Sequence, residues 1–411
     1  MAEAGAPVAG PTVPLRVVAR EWTRLGCIGF GGPPAHIALL RQMCVQEHGW
    51  IAADDFEHAV AATNLLPGPA STQLSIWCAW RVAGRRGGLL GGVCFIVPGL
   101  VMIIFLAALF LAGHPPRLVR GIAAGAGSAV PAVAVAAAVG LIPASWKRIK
   151  RLRFGRARWL AYVLLACAVT PTIGPWLVLV IVGSGLVEVA AQDRPGGRAA
   201  GSTSGFVPVT VSSVLRSFGS RSLASKSAAT IGGLGALAWV ALKVGALSYG
   251  GGFVIIPLMQ SDAVNRYHWM SGAQFLNAVA LGQVTPGPVV HTVAAVGYAA
   301  AGVGGALLAA LVAFAPSFVF VLGGARRFDS LRTNDRVRAF LDGAGPAAIG
   351  GIAGSAVTLG RSLELPWQVL VLGLAGLGLL ILPRRTATLT VLLVAAASGC
   401  AVAALGGPLP G

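Results

Sequence analysis

Charge is what this chain has least of. Asp and Glu number 13 in 411 residues against 31 Lys and Arg, and charged residues make up 11% of the whole, where soluble domains carry roughly 25%. So little charge cannot clothe a water-facing surface of this size. The six cysteines (Cys27, Cys44, Cys78, Cys94, Cys167, Cys400) are scattered through apolar stretches without C-x-x-C spacing. That argues against a zinc or disulfide framework and for small buried hydrophobes. No Gly-rich loop precedes Lys-Ser or Lys-Thr, no carboxylate pair recurs, and no His/Cys set has metal spacing. Nucleotide hydrolysis, a metal, a cofactor and enzymatic chemistry are therefore not expected. The first residues also lack a cationic start followed by an apolar core, so residues 1–12 read as a disordered tail rather than a cleaved signal.

What the chain has instead is hydrophobic length. It is 56% hydrophobic, with a mean hydropathy of +0.78. Val93 to Ala112, Gly121 to Ile142, Gly304 to Leu322 and Val369 to Leu382 onward are apolar over about the length that marks a spanning helix. The expected fold is an all-α integral membrane protein with about 10–13 membrane segments, multi-pass in the cell inner (plasma) membrane, with the lipid bilayer as its surroundings. The net charge of +18 fits the enrichment of Lys and Arg in cytoplasmic loops. Aromatic residues do not interleave with the basic runs, so nucleic acid is not an expected partner. A homodimer is compatible with the sequence but nothing in it specifies one.

A run near the N-terminus recurs near the middle. Gly26, Phe30, Gly31, Gly32, Ile37, Leu39, Trp50, Phe56 and Pro67-Gly68-Pro69 become, on adding 219, Gly245, Tyr249, Gly250, Gly251, Ile256, Leu258, Trp269, Phe275 and Pro286-Gly287-Pro288. After a one-residue slip Pro98 matches Pro316. The chain is a duplication: a first repeat over 13–190, a flexible basic Gly/Ser-rich linker over 191–228, and a second repeat over 229–411. Loop charges oppose one another. In the first repeat Arg81, Arg85 and Arg86, then Lys147 to Arg158, flank a loop holding Arg117 and Arg120. In the second, the intervening loop holds Arg326, Arg327, Arg332, Arg336 and Arg338 while its flanks are nearly bare. By the positive-inside rule the two repeats have inverted topology. Inverted repeats of broken and spanning helices are an alternating-access transporter architecture.

Gly31-Gly32 and Gly250-Gly251 precede helix restarts, where unpaired N–H groups and the positive dipole end suit an anion. Close packing of helices through small residues is the alternative. Arg24 and Lys243 occupy equivalent positions two turns ahead of each glycine pair. Two cations there fit a negatively charged ligand, against snorkelling to the interface. Pro67-Gly68-Pro69 and Pro286-Gly287-Pro288 break or gate a helix and free carbonyls that need protein or a wet cavity beside them. Asn64, Ser71, Thr72 and Gln73 adjoin the first break; Gln283, Thr285, His291 and Thr292 adjoin the second. They either coordinate a ligand or satisfy the interrupted backbone. His36 and Arg41, replaced by Ile255 and Gln260 in the second repeat, are candidates for selectivity or gating. Glu47, Asp54, Asp55 and Glu57 read as a solvated interfacial face.

Phe30-Gly31-Gly32-Pro33-Pro34-Ala35-His36-Ile37, Asn64-Leu65-Leu66-Pro67-Gly68-Pro69 with Ser71-Thr72-Gln73-Leu74, and Phe95-Ile96-Val97-Pro98 resemble the chromate ion transporter family in its two-domain, long-chain form. Ser248-Tyr249-Gly250-Gly251-Gly252, Gly282-Gln283-Val284-Thr285-Pro286-Gly287-Pro288 and Pro316-Ser317-Phe318 carry the resemblance through the second half. His291 departs from it, standing where an apolar or hydroxyl residue is expected. The resemblance implies a secondary transporter exporting chromate, a tetrahedral divalent oxyanion, and conferring chromate resistance, driven by membrane potential or proton gradient. Arg24, Gly31, Gly32, His36, Asn64, Gln73, Lys243, Gly250, Gly251, Gln283 and Thr285 are the expected substrate-binding set. The alternatives are an importer or exchanger of sulfate or another oxyanion, and an anion channel.

Overall fold

The computed structural model describes residues 13–30, 32–63, 66, 68–111, 115–149, 155–173, 177–192, 229–248, 255–324, 334–383 and 386–410. The expected tail, nearly all of the linker, and Gly31, Asn64, Pro67, Gly250 and Gly251 lie outside the described residues.

All regular structure among the described residues is helical. In the first half, α1 (Leu15–Ile28), α2 (Pro33–Arg41) and a π-helical turn (Gln42–Glu47) precede α3 (Ala53–Thr63), α4 (Ala70–Phe110), α5 (Arg117–Ile149), α6 (Gly155–Ile173) and α7 (Leu177–Gln192). The second half repeats the order. α8 (Ala229–Leu247) and α9 (Ile255–Gln260) lead to a second π-helical turn (Ser261–Arg266), then α10 (Gly272–Val284). After Pro286-Gly287-Pro288 and a 3₁₀ turn (Val289–His291) come α11 (Thr292–Gly324), α12 (Asp335–Arg361), α13 (Pro366–Ile381) and α14 (Ala387–Ala404). Even the π turns fall at equivalent positions, since 42 plus 219 is 261. The ring stack of His48 on Trp50 (4.1 Å) likewise recurs as Tyr267 on Trp269 (4.7 Å).

Local chemistry sets the ends. Ser271 and Gln274 form a capping box at the start of α10, Asn334 accepts from the amides of Arg336 and Val337 at the start of α12, and Pro366 opens α13 where no N–H partner is needed.

Two of the longest helices are folded back on themselves. α4 leaves helical angles at Ala83 and Gly84, the latter at φ +66°, and α11 does so at Ala301 and Gly302, with Gly302 at φ +62°. The missing Cβ atoms of Gly88 and Gly92 face Ile76 and Trp80, so residues 76–80 lie alongside 87–92. In α11 Gly297 and Gly305 press together. Each helix is thus a tight αα-hairpin, with a short arm and a long arm.

The short arm also runs back along α3. Asp55, near the start of α3, reaches Arg81 at the far end of the short arm of α4 (3.3 Å), so Gly68 and Pro69 stand at the tip of an antiparallel pair. α1 and the α2–π segment make another such pair. Ile28 and Leu39 share a cleft wall with Glu21, Arg24, Gln42 and Glu47, and Trp22 stacks on Trp50 at 6.4 Å; Gly29 and Gly32 stand at that tip. In the second half Trp269, just ahead of α10, shares a cleft with Ala300 and Ala301 at the turn of α11.

The halves interlock. α4 packs on α11, α5 packs on α13 and α14, and α12 packs on α6 and α7. Small residues allow the close crossings: Gly121 and Gly125 meet Gly399, while Gly350 and Gly354 lie on the backbone of Val163 and Cys167. Among the described residues, four helical stretches are long and apolar enough to cross a membrane: Ala70–Phe110, Arg117–Lys147, Val289–Gly324 and Ala387–Ala404. Large apolar side chains such as Phe105, Leu311 and Leu380 face outward on α4, α11 and α13. This is the surface a bilayer covers, and the chain is a membrane protein.

Candidate functional site

Gly29, at the end of α1, is where the tips meet. Its carbonyl accepts the Gly287 amide at 2.7 Å and lies 2.9 Å from His36 Nε2; Nδ1 of the same ring is 3.2 Å from Ser71 Oγ. With Nε2 donating to the carbonyl, Nδ1 accepts from the hydroxyl, so the neutral imidazole satisfies both partners. One ring therefore ties the glycine tip of α1–α2 to the Pro-Gly-Pro tip of α3–α4, and the second Pro-Gly-Pro closes onto both.

The two Pro-Gly-Pro tips are built alike. Gly68 and Gly287 have φ of +123° and +90°, a region a side chain disfavours. A Cβ on Gly68 would meet the Gln73 amide and lie 3.4 Å from Ser317 Oγ; one on Gly287 would lie 3.0 Å from His291 Cε1. A Cβ on Gly99 would strike the Pro286 carbonyl and stand 2.7 Å from the same His291 atom. Adding 218 takes Gln73 to His291 and Gly99 to Ser317. Each tip is thus wedged by one polar side chain of its own half and braced by the long arm of the other.

Polar atoms collect there without partners. Among the described residues Thr72 Oγ1, Thr285 Oγ1, Ser317 Oγ, Gln283 Nε2 and both ring nitrogens of His291 are buried with no hydrogen bond. Thr72, Ser317 and His291 are essentially inaccessible. The first turn of α4, following Pro69, has no side-chain cap, so Ala70, Ser71 and Thr72 present the orphan N–H groups of a helix N-terminus at the same tip. Hydroxyls, an amide, an imidazole and backbone donors suit an oxyanion. No group of three or more metal-ligating side chains occurs among the described residues.

Other expected site residues lie elsewhere or contribute differently. The start of α2 supplies few backbone donors, because Pro33 and Pro34 have no N–H and the amides of Ala35 and His36 both bond to the Gly32 carbonyl. Gly32, at φ +74°, turns the chain into that helix and faces Val289 across the halves. Arg24 and Lys243 take no part in the Gly29–His36–Gly287–His291 contacts. The Arg24 side chain is 61% exposed and 3.5 Å from Glu21, one turn back on α1. Lys243 bonds to Asp262 on the second π turn, where Asp262 is 3% exposed. Arg41 pairs with Glu57 (3.2 Å), and Gln260 accepts from Thr358 (3.0 Å).

Glu21, Asp262, Gly29, Gly99 and Ser317 were not among the expected site residues. Glu21 stands three residues before Arg24, and that i,i+3 spacing was the available signal for its pairing. The carbonyl of Gly29 and the missing side chain of Gly99 leave no trace in a residue pattern. A second polar cluster sits apart on α6 and α7: Glu188, 1% exposed, binds Arg158 at 3.2 Å and accepts from Tyr162 at 3.1 Å, fastening those helices.

A family model described as "Chromate transporter" matches residues 17–189 and again 235–401. The chain is 29% identical over 383 residues to the chromate transport protein of Cupriavidus metallidurans, covering 90% of this chain and 89% of that one. It is 27% identical over 370 residues to the probable chromate transport protein of Synechococcus elongatus, covering 89% and 90%. The uncharacterized transporter YwrB of Bacillus subtilis is 30% identical over 171 residues, which is 41% of this chain and 84% of that protein. No solved structure matches the chain.

Proposed function

Because the chain belongs to the chromate transporter family, a family of transporters and not of enzymes, we propose that it is a secondary transporter. In this reading it exports chromate from the cell across the inner membrane and thereby confers chromate resistance. The observation that carries the reading is the meeting of the helix tips at Gly29 and Gly287, with partnerless hydroxyl, amide and imidazole groups around them. A tetrahedral dianion needs several converging donors, and folding alone gives no reason to leave these buried groups unpaired.

Helix lengths support a site at mid-depth. α3 has 11 residues and α10 has 13, about 16 and 20 Å at 1.5 Å per residue, so tips entering from a surface end near the middle of a core about 30 Å thick. The turn at Ala83–Gly84 is flanked by Arg81, Arg85 and Arg86, while the equivalent turn at Ala301–Gly302 carries no charge. That contrast favours inverted halves, with Pro-Gly-Pro tips entering from opposite faces. Alternating access then consists of rocking the interlocked halves about the tips.

The anion's ligands in this reading are Thr72, Gln73, Gln283, Thr285, Ser317 and His291 with the backbone N–H groups at the start of α4, and Ser71 and His36, bonded to each other, brace them. Asn64, Gly31, Gly250 and Gly251 adjoin the same tips in sequence. Arg24 and Lys243 are matched by Glu21 and Asp262 and do not ligate the anion in this reading. A cell interior negative by 100 mV favours a departing dianion by about 4.6 kcal/mol, at about 2.3 per charge. Uptake of labelled chromate and of sulfate into everted vesicles, with potential and pH gradient set separately, tests the proposal. Saturable, potential-driven chromate accumulation with counterflow is expected. Sulfate flux without chromate flux moves the substrate to sulfate, and unitary currents make the protein a channel.

A further inference from the structure

Resting on the oxyanion reading above, we propose that His291 is a proton-carrying ligand, so that each tetrahedral dianion binds together with one proton.

The two central histidines are not alike. His36 has both ring nitrogens engaged, by Gly29 and Ser71, and is complete as a neutral ring. His291 is wholly buried, and neither of its nitrogens has a hydrogen bond among the described residues. Its ring faces the backbone of Ile96 without completing a bond, packs on Phe314 at 5.3 Å and fills the space left by Gly99 and Gly287. Burying an imidazole in this way serves no fold, because Leu or Met would pack without a polar penalty. At the corresponding place in the first half stands Gln73, an amide that cannot titrate.

Charge decides the rest. The elements packed around His291 bring almost no ionisable groups to it. α10 has none and α11 carries no charged residue, its Tyr298 lying two turns further on. α4 carries its arginines (Arg81, Arg85, Arg86) at the hairpin turn, ten or more residues before Ile96, and its Cys94 faces Gly26 through its carbonyl. From α2, His36 is the ionisable neighbour. A dianion entering this site finds partial charges but no full countercharge, since the nearby cations are already paired. A proton on His291 supplies it. The neutral ring offers one donor and one acceptor, and the acceptor opposes an oxyanion; the protonated ring offers two donors. The proton comes from solvent, His291 becomes imidazolium, and no covalent bond in the anion changes. By linkage the anion and the proton each tighten the other's binding. The complex then moves one net negative charge rather than two.

The test uses the full-length wild-type chain in nanodiscs with sulfate, which stays fully ionised near neutral pH and so does not titrate itself. Calorimetry in buffers of different ionisation enthalpy counts protons. The proposal expects uptake of about one proton per sulfate and affinity falling by up to about tenfold per pH unit between about pH 6 and pH 8. His291→Gln, or His291→Asn should the first not fold, is expected to lose both the uptake and the pH slope. Wild-type binding with no proton uptake overturns this inference and leaves the oxyanion reading standing, as does uptake that survives in the His291 variants. Absence of both sulfate and chromate binding in the wild type sinks the reading and the inference together.

Discussion

The amide of Gly287 donates to the carbonyl of Gly29 across the two halves of the chain at 2.7 Å. That bond joins the Pro-Gly-Pro tip of one repeat to the glycine tip of the other, and it needs both residues bare. At φ +90° Gly287 holds a conformation that costs a side chain roughly 1–2 kcal/mol, and its Cβ would press on His291. Gly287→Ala is therefore expected to reduce chromate flux into everted vesicles by at least about tenfold. Gly99→Ala, which drives a Cβ into the Pro286 carbonyl, should do at least as much. Gly140→Ala on α5 has nothing within 4 Å and should leave flux and membrane abundance unchanged.

The Lys243–Asp262 pair should respond unequally to loss of its two members. Asp262 is 3% exposed, so Lys243→Gln leaves a buried carboxylate without its cation, at a cost of about 3–5 kcal/mol. Asp262→Asn leaves a lysine whose side chain is 21% exposed and which can reach toward the interface. Thermal unfolding in detergent should rank Lys243→Gln below Asp262→Asn. The double variant should recover part of the loss, with a coupling of about 1 kcal/mol or more. Strict additivity would mean the pair is not formed in the protein.

The hairpin turns make a contrasting prediction. Gly84 and Gly302 have positive φ with ψ of −163° and −152°, a region essentially confined to glycine, but nothing within 4 Å of an added Cβ, so alanine there meets backbone strain alone, about 1–3 kcal/mol each. A lower melting temperature is expected, with transport kinetics retained. Large loss of flux from either variant would show that the turn moves during transport.

Much of this architecture was legible in advance. The long hydrophobic runs carried through as helices and the order of elements recurs in the second half, because hydrophobic length and the spacing of helix breakers survive in the sequence itself. The hairpins at Ala83–Gly84 and Ala301–Gly302 were not read, since a small-residue turn inside an apolar stretch looks like more helix. His291 stood out as a departure. The one-residue slip hid its correspondence with Gln73, because a 3₁₀ turn at Val289–His291 replaces the first turn of α4. Arg24 and Lys243 were grouped by their equal spacing from glycine, but partners one turn back or across a π turn decide where a charge settles. Glu21 is on the helix of its cation, whereas Asp262 reaches Lys243 only through tertiary contact.

The crossed packing of α5 against α13 and α14, and of α12 against α6 and α7, has an assembly consequence. Neither α5 nor α12 is covered mainly by its own repeat, so each repeat acts as the other's template, and covalent continuity through residues 193–228 becomes dispensable once both pieces are in the bilayer. Cutting the gene there and co-expressing the fragments should restore a working transporter, while either fragment alone should be degraded.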